Sequence, residues 1–371
     1  NKMRKILLFI LLPVFYFGQN TEAILLDSAI SCELAHNYEG AISFSSKAIV
    51  LNPNYAYAYS NRGFSFLMQE MYEEAITDFD KAISLNKRPN HFERPKLIND
   101  SILFFPTIVA FALYNKLDFP SDKVFKFLTH KEYKGFIPKY NGDINLDYNT
   151  AFAFHNKGFA QAKLKKWDDA ISSYTKGITI FPNSKTTYYN RACALASKGN
   201  TVPGSVLPVS KPEYYRPSGS LKYYFQAIKD FTTAIDFDTN YTAAYINRGN
   251  AYLLNNKFFE AINDFKKALT LGGDDNNLFF QRGTAFLLMA TSPFYSSEIN
   301  AKSAIKDFSK VIEVDPNYTN AYYYRALAKE KLDIPFCADL KKACSLGISH
   351  SKYYNHSNKC WKKYRECNCN H

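Results

Sequence analysis

The sequence predicts an all-α fold, an array of antiparallel helix hairpins stacked one on the next. Three observations predict it. The tripeptide Asn61-Arg62-Gly63 returns with small edits as Asn156-Lys157-Gly158, Asn190-Arg191-Ala192, Asn247-Arg248-Gly249, Gln281-Arg282-Gly283 and Tyr324-Arg325-Ala326. Behind it run fixed columns: Ala75, Ala170 and Ala261, then the aromatics Phe79, Tyr174 and Phe265, then the small residues Ala82, Gly177 and Ala268, with Pro53, Pro182 or Pro316 closing the better copies. Where nothing interrupts the spacing the period is 34 residues, as from Asn156 to Asn190 and from Asn247 to Gln281. Small residues let two helices cross closely, an aromatic fills the gap, and proline ends the second helix. Such a unit cannot bury its apolar face alone, so it stacks on copies of itself.

These residues resemble the tetratricopeptide repeat, and the resemblance covers most of the chain. It implies a right-handed superhelical solenoid whose first helices face a concave groove. The repeats fall at about 22–55, 56–89, 151–184, 185–241, 242–275, 276–318 and 319–347, within a solenoid spanning 20–347. The first is degenerate: Ala29, Ala41, Ala48 and Pro53 fit the columns, but the tripeptide is missing. In the last, the turn between helices is about two residues short, and Asp339-Leu340-Lys341-Lys342-Ala343 replaces the usual Asp-Phe segment. Insertions interrupt the array near 90–150, 200–220 and 291–299. The first reads as a diverged hairpin, with an apolar helix from Leu97 to Tyr114 kinked at Pro106 and a second from Lys123 to His130, plus an irregular arm. The other two, one with Pro203, Pro208, Pro212 and Pro217 and one with Ser292-Pro293, are loops between the helices of repeats four and six. They project from one edge, either as binding elements or as tolerated decoration.

At the N-terminus Lys2, Arg4 and Lys5 precede the apolar run Ile6 to Phe17 and then Gly18-Gln19-Asn20. That pattern predicts a signal peptide over residues 1–19, with Thr21-Glu22-Ala23 as an alternative cleavage site. The run is too short to span a bilayer, so the mature chain is expected to have no transmembrane segment and to be exported to a periplasm, cell surface or medium. The resemblance, with this signal, points to the exported bacterial type. Net charge is +12, part of it in the first five residues, which is compatible with acidic partners or with solubility alone. Hydrophobic residues make up 46%, enough for a packed core rather than a disordered chain.

Arginine and aspartate occur together. Arg62, Arg191, Arg248, Arg282 and Arg325 are matched on the second helix by Asp78, Asp230, Asp264, Asp307 and Asp339, whereas the repeat with Lys157 has Ser173. This predicts inter-helix ion pairs, a planar guanidinium facing a carboxylate. The asparagine precedes the arginine and so points about 100° away around the helix. In the family that position faces the groove. Asn61, Asn156, Asn190, Asn247 and Gln281 would form a ladder suited to the backbone of an extended peptide, since an amide both donates and accepts. The other reading is that these amides bond within the array. A carboxylate clamp of the family's kind is not expected, because Ser60, His155, Tyr189, Ile246 and Phe280 stand where its lysine would. Phe64, Phe159, Tyr189, Phe280 and Tyr323 add aromatic groups to the same surface.

Five of the seven cysteines lie after residue 336. Cys337 and Cys344, like Cys360 and Cys367, are seven apart, nearly two helical turns. Antiparallel helices would pair Cys344 with Cys360 and Cys337 with Cys367, pinning a cap at 348–371 over the last repeat. Cys369 is either a spare or the true partner of one of these. A thiolate metal site is the other reading, but no Cys-x-x-Cys spacing occurs. Cys32 and Cys193 read as small buried hydrophobes.

No catalytic constellation, phosphate-cradling loop or metal motif stands out, so no enzyme, cofactor or metal is expected. His155 is the one histidine on the expected groove face, and Gly272-Gly273-Asp274-Asp275 replaces an inter-repeat turn. The sequence therefore predicts a scaffold that binds a protein or peptide and not nucleic acid. The alternatives are a structural envelope component whose groove is filled by its own 90–150 segment, and an accessory to envelope polysaccharide handling.

Overall fold

The computed structural model describes residues 21–86, 144–201, 218–273, 276–292 and 295–346. The expected signal peptide, the two helices expected within 90–150 and the 348–371 cap lie outside them. The described residues form fourteen helices and no strand. In chain order these are α1 (Thr21–Leu34), α2 (Tyr38–Leu51), α3 (Ala56–Met68), α4 (Tyr72–Leu85), α5 (Ile144–Lys163), α6 (Trp167–Ile180) and α7 (Lys185–Thr201). They continue as α8 (Ser218–Phe237), α9 (Thr242–Leu254), α10 (Phe258–Thr270), α11 (Asn276–Thr291), α12 (Ser297–Val314), α13 (Thr319–Glu330) and α14 (Cys337–Ser345). Two compact units contain them, the first with α1–α5 and the short stretch Thr179–Pro182 at the end of α6, the second with Trp167–Ile178 of α6 and all of α7–α14.

The hairpin turns repeat one device. His36, Glu70, Lys165, Asn256 and Asp333 each take positive φ, between 53° and 62°. The next amide reaches back to the carbonyl five residues earlier: Asn37 to Cys32 at 2.8 Å, Met71 to Phe66 at 2.9 Å, Lys257 to Tyr252 at 2.9 Å. This left-handed residue ends the first helix and satisfies its last carbonyls. In the last repeat the left-handed Asp333 keeps its place. Asp339 follows it by six residues, where Asp78 follows Glu70 by eight, so the two-residue deficit falls after the turn.

Within the first unit α1 to α5 pack each on the next, as do α7 to α14 in the second, and first helices also touch the first helices of adjoining repeats: α1 with α3, α3 with α5, α7 with α9, α9 with α11, α11 with α13. First helices thus form an inner layer and second helices an outer one. The small residue of the tripeptide explains the close crossing. A Cβ added at Gly249 would lie 2.7 Å from Phe265 Cε1, and one at Gly283 would lie 2.9 Å from Phe308 Cε1. Phe79, Phe231, Phe265 and Phe308 are all fully buried, as are Ala75, Ala170 and Ala261.

In the first unit α5 packs directly on α4, as the first helix of a next repeat would. Phe64 meets Phe152 at 6.0 Å between ring centroids. Helix α5 starts at Ile144, inside the expected 90–150 insertion, so the third repeat begins earlier than its columns suggest. Its Lys157, which has no aspartate at the matching point, pairs with Asp80 on α4 of the preceding repeat.

Candidate functional site

Stacking brings together all five expected arginine–aspartate pairs. Arg62 Nε and Nη2 meet Asp78 Oδ2 and Oδ1 at 2.7 and 2.8 Å. The same two-pronged contact joins Arg191 to Asp230, Arg248 to Asp264, Arg282 to Asp307 and Arg325 to Asp339, all between 2.6 and 2.9 Å. Two parallel N–H···O bonds make this a directional contact. The aspartates are buried and the arginines nearly so, which places these pairs among contacts that are costly to break.

Each guanidinium does more than the sequence suggested. In four of the five repeats its remaining nitrogen donates to a hydroxyl on the preceding second helix: Ser46, Thr175, Thr232 and Ser309, at 3.0–3.1 Å. Each hydroxyl lies sixteen residues before its arginine, and Lys266 holds that place before Arg282. An aromatic one turn earlier lies under the charge: Tyr59, Tyr188, Tyr245, Phe279 and Tyr322, with the guanidinium carbon 5.5–5.7 Å from the ring centre. The arginine therefore fastens its own helix to its hairpin partner and, where the hydroxyl is present, to the preceding repeat.

Burial acts against the charge on Asp264 and Asp339, with opposite outcomes. It raises the Asp264 carboxyl despite the Arg248 contact. At Asp339 burial is overcome by hydrogen bonds from Arg325 and Lys329, the latter at 2.8 Å, and the carboxyl is held below the usual carboxylate range.

The asparagine positions do not form a uniform open ladder. Asn61 and Asn156 are buried, with 4% and 0% of their surface exposed. Asn156 Nδ2 donates to the Phe152 carbonyl one turn back, at 3.0 Å. Asn247 Nδ2 donates to the Tyr189 hydroxyl of the preceding repeat at 2.8 Å. A position 100° from the arginine faces the neighbouring first helix as well as the open side, and at Asn247 the neighbour supplies the partner. Asn190 and Gln281 are partly exposed. Three of these amides keep one buried atom without a hydrogen-bond partner: Asn61 Nδ2, Asn156 Oδ1 and Gln281 Oε1.

The expected aromatics of the groove are mostly packing groups. Tyr323 and Phe64 are buried. Tyr189 lies 4.9 Å from Tyr241 and 5.7 Å from Phe231. Phe280 lies 5.1 Å from Tyr318 and 5.2 Å from Tyr324. Tyr241 and Tyr318 end inter-repeat turns and fold back over the aromatic of the preceding first helix. Phe159 is half-buried under Lys163.

Three polar groups complete the picture. Glu33, near the end of α1, is buried and accepts a hydrogen bond from Ser65 Oγ at 2.8 Å. Burial pushes its carboxyl up to about 8, against the pull of that bond. It stands in the column that holds the buried Leu67, Leu253 and Leu287 in three other repeats, Ala162 and Ala196 in two more, and Glu330 in the last. His155 is a core residue whose imidazole burial pulls down to about 4, so it is neutral. Cys32 and Cys193 are half-buried thiols rather than fully buried ones, and burial pushes the Cys193 thiol up to about 12.

Cys337 is disulfide-bonded, and its expected partner Cys367 lies outside the described residues. The expected Cys344–Cys360 bridge likewise reaches a residue outside those described.

Hairpins joined by a repeating arginine–aspartate clasp define a helical repeat protein. The chain carries tetratricopeptide repeats: that family's model matches residues 56–89 and again 242–275. Serine/threonine-protein phosphatase 5 of Homo sapiens is 46% identical over 54 residues, 15% of this chain and 11% of that protein, and the Rattus norvegicus protein matches to the same extent. So short a match says nothing of phosphatase chemistry. Among solved structures, a tetratricopeptide repeat protein from Parabacteroides merdae aligns over 95% of this chain and 100% of that one, with 13% identity and a TM-score of 0.46. YrrB, described as a TPR protein with an unusual peptide-binding site, aligns over 70% of this chain and 91% of that one, with 17% identity and a TM-score of 0.42. No residue role follows from likenesses at this level.

Proposed function

We propose that the chain is an interaction scaffold that holds an extended segment of a protein partner along the first helices of its second unit. The carrying observation is Gln281, a partly exposed amide on α11 whose Oε1 has no partner, at the same repeat position as the partly exposed Asn190 on α7. That oxygen is itself buried, at a cost of about 1–3 kcal/mol, and a side chain that turns outward to a backbone N–H of a bound segment would remove the cost. The peptide-binding site described for YrrB is in keeping with this reading. Export through the N-terminal signal is part of the same proposal.

A second reading applies to the first unit. There the equivalent Asn61 and Asn156 are buried, which favours a closed inner layer with a structural role.

The test is cross-linking capture from the source cell envelope with the full chain, an Asn190→Ala/Gln281→Ala variant and an Asn61→Ala variant. The expected result is a partner lost by the double variant and kept by Asn61→Ala. Capture indifferent to Asn190 and Gln281 would refute the assignment. Asn247→Ala is a poor probe, because it also breaks the bond to Tyr189.

A further inference from the structure

The outer layer of the second unit carries a pattern that stacking does not require. Phe225 on α8, Phe259 on α10 and Ile299 on α12 are 64%, 57% and 67% exposed. One bulky apolar side chain thus stands in water on each of three successive second helices, at the eighth residue of α8, the second of α10 and the third of α12. Exposed apolar groups scattered at random need no explanation, but a row in successive repeats does.

Lysines follow this row along the helix axes. Lys229 lies four residues beyond Phe225, and Lys266 and Lys306 lie seven beyond Phe259 and Ile299. Spacings of four and seven keep each lysine on its apolar partner's side of the helix, about 6–10 Å farther along. All three lysines are exposed. The charge balance supports the pattern. On α8, α10, α12 and α14 lysines outnumber carboxylates once the aspartates bound to arginine are set aside. Some of this charge is already matched, since Lys302 pairs with Glu298 and Lys310 with Glu313. Helix α4 of the first unit has the opposite balance, with Glu73, Glu74 and Asp80 against Lys81.

We infer that this edge of the second unit docks on an anionic lipid surface. Single apolar side chains one repeat apart, about 10 Å, leave no contiguous patch or pocket for a folded partner, whose interface would need a packed apolar centre. A fluid bilayer accommodates separate insertions. With this edge facing the membrane, Phe225, Phe259 and Ile299 reach the 5–10 Å boundary between headgroups and acyl chains, and the first two turns of α8, with Lys222, lie beside Phe225 in the headgroup layer. The lysines, one to two turns above, then lie at the level of the lipid phosphates. Among the described residues no helix is long and apolar enough to cross a membrane, so this is attachment at the surface.

The test is co-sedimentation of the full chain with phosphatidylcholine vesicles, with and without phosphatidylglycerol. Two variants are compared: Phe225→Ser/Phe259→Ser/Ile299→Ser and Lys229→Gln/Lys266→Gln/Lys306→Gln. All six positions are exposed, and circular dichroism checks that each variant folds. The expected result is binding that needs phosphatidylglycerol, weakens with salt, and falls on the order of 100-fold in the lysine variant. The serine variant should lose binding too. Equal binding to both vesicles, no binding, or binding kept by either variant overturns the inference. So does a dimer in sedimentation velocity that the serine variant dissolves, because the edge would then join two copies of the chain.

Discussion

Replacing Glu33 with glutamine should stabilise the N-terminal hairpins at neutral and alkaline pH and leave them unchanged in acid. The folded carboxyl titrates at about 8 against an ordinary 4.5. A carboxyl raised on folding contributes stability that is fully present below 4.5 and is lost as pH rises toward 8. At about 1.4 kcal/mol per pH unit, the loss by pH 7 is about 3 kcal/mol, with a limit near 5 kcal/mol above pH 8. Glutamine has the same shape, stays neutral, and still offers Oε1 to the Ser65 hydroxyl. The effect should be local, because repeat arrays open from their ends. Amide hydrogen exchange in α1 and α3, corrected for intrinsic rate, is therefore the assay. Protection in the native chain should fall from pH 5 to pH 9 while Glu33→Gln stays level. Two curves that track each other over that range would refute the argument, because Glu33 would then be ionising in contact with water.

Three further outcomes follow from the clasp. A double-mutant cycle on Arg248 and Asp264 in chemical denaturation should show a positive coupling, with Asp264→Ala alone costing roughly 3–5 kcal/mol; additive effects would mean the pair contributes nothing. Gly249→Ala should cost roughly 1–3 kcal/mol by overpacking against the Phe265 ring edge, 2.7 Å from the new Cβ, and a melting temperature equal to the native one would disprove the crowding. Asp339 has the opposite sign to Glu33: its lowered carboxyl contributes stability above the ordinary 3.8 that is lost as pH falls through the lower folded value. Lys329→Met, which removes the second cation, should make α14 open at higher pH than in the native chain during acid titration followed by hydrogen exchange.

Much of the fold was legible because each contact occurs several times. Arginine and aspartate present together in five repeats, and both altered where Lys157 stands, marked a contact before any coordinate did. The hydroxyl sixteen residues before each arginine carried the same kind of signal at Ser46, Thr175, Thr232 and Ser309, but it crosses a repeat boundary and reads as noise until the stacking is known. The asparagines were harder. Helical spacing fixes which side of α9 Asn247 occupies, but not that Tyr189 of the preceding repeat will meet it there. The turn tyrosines Tyr241 and Tyr318 were missed for the same reason, because their rings fold back onto a first helix more than thirty residues earlier.

This difference separates scaffold from site. A contact between repeats must recur with the period, so a periodic buried residue is explained by stacking alone, and the asparagines that prove buried or bonded belong with it. A ligand has no such period. Residues that serve it are better sought where a column is broken, as at Lys266 among hydroxyls, or where a position recurs without being buried. Phe225 and Phe259 each lie five residues before the aspartate of their own helix, so they recur, yet both stand mostly in water. Packing within the array needs neither ring there. Burial against something outside the chain would account for both, which is why the outer edge of the second unit, and not only the inner layer of first helices, belongs in any account of what this protein binds.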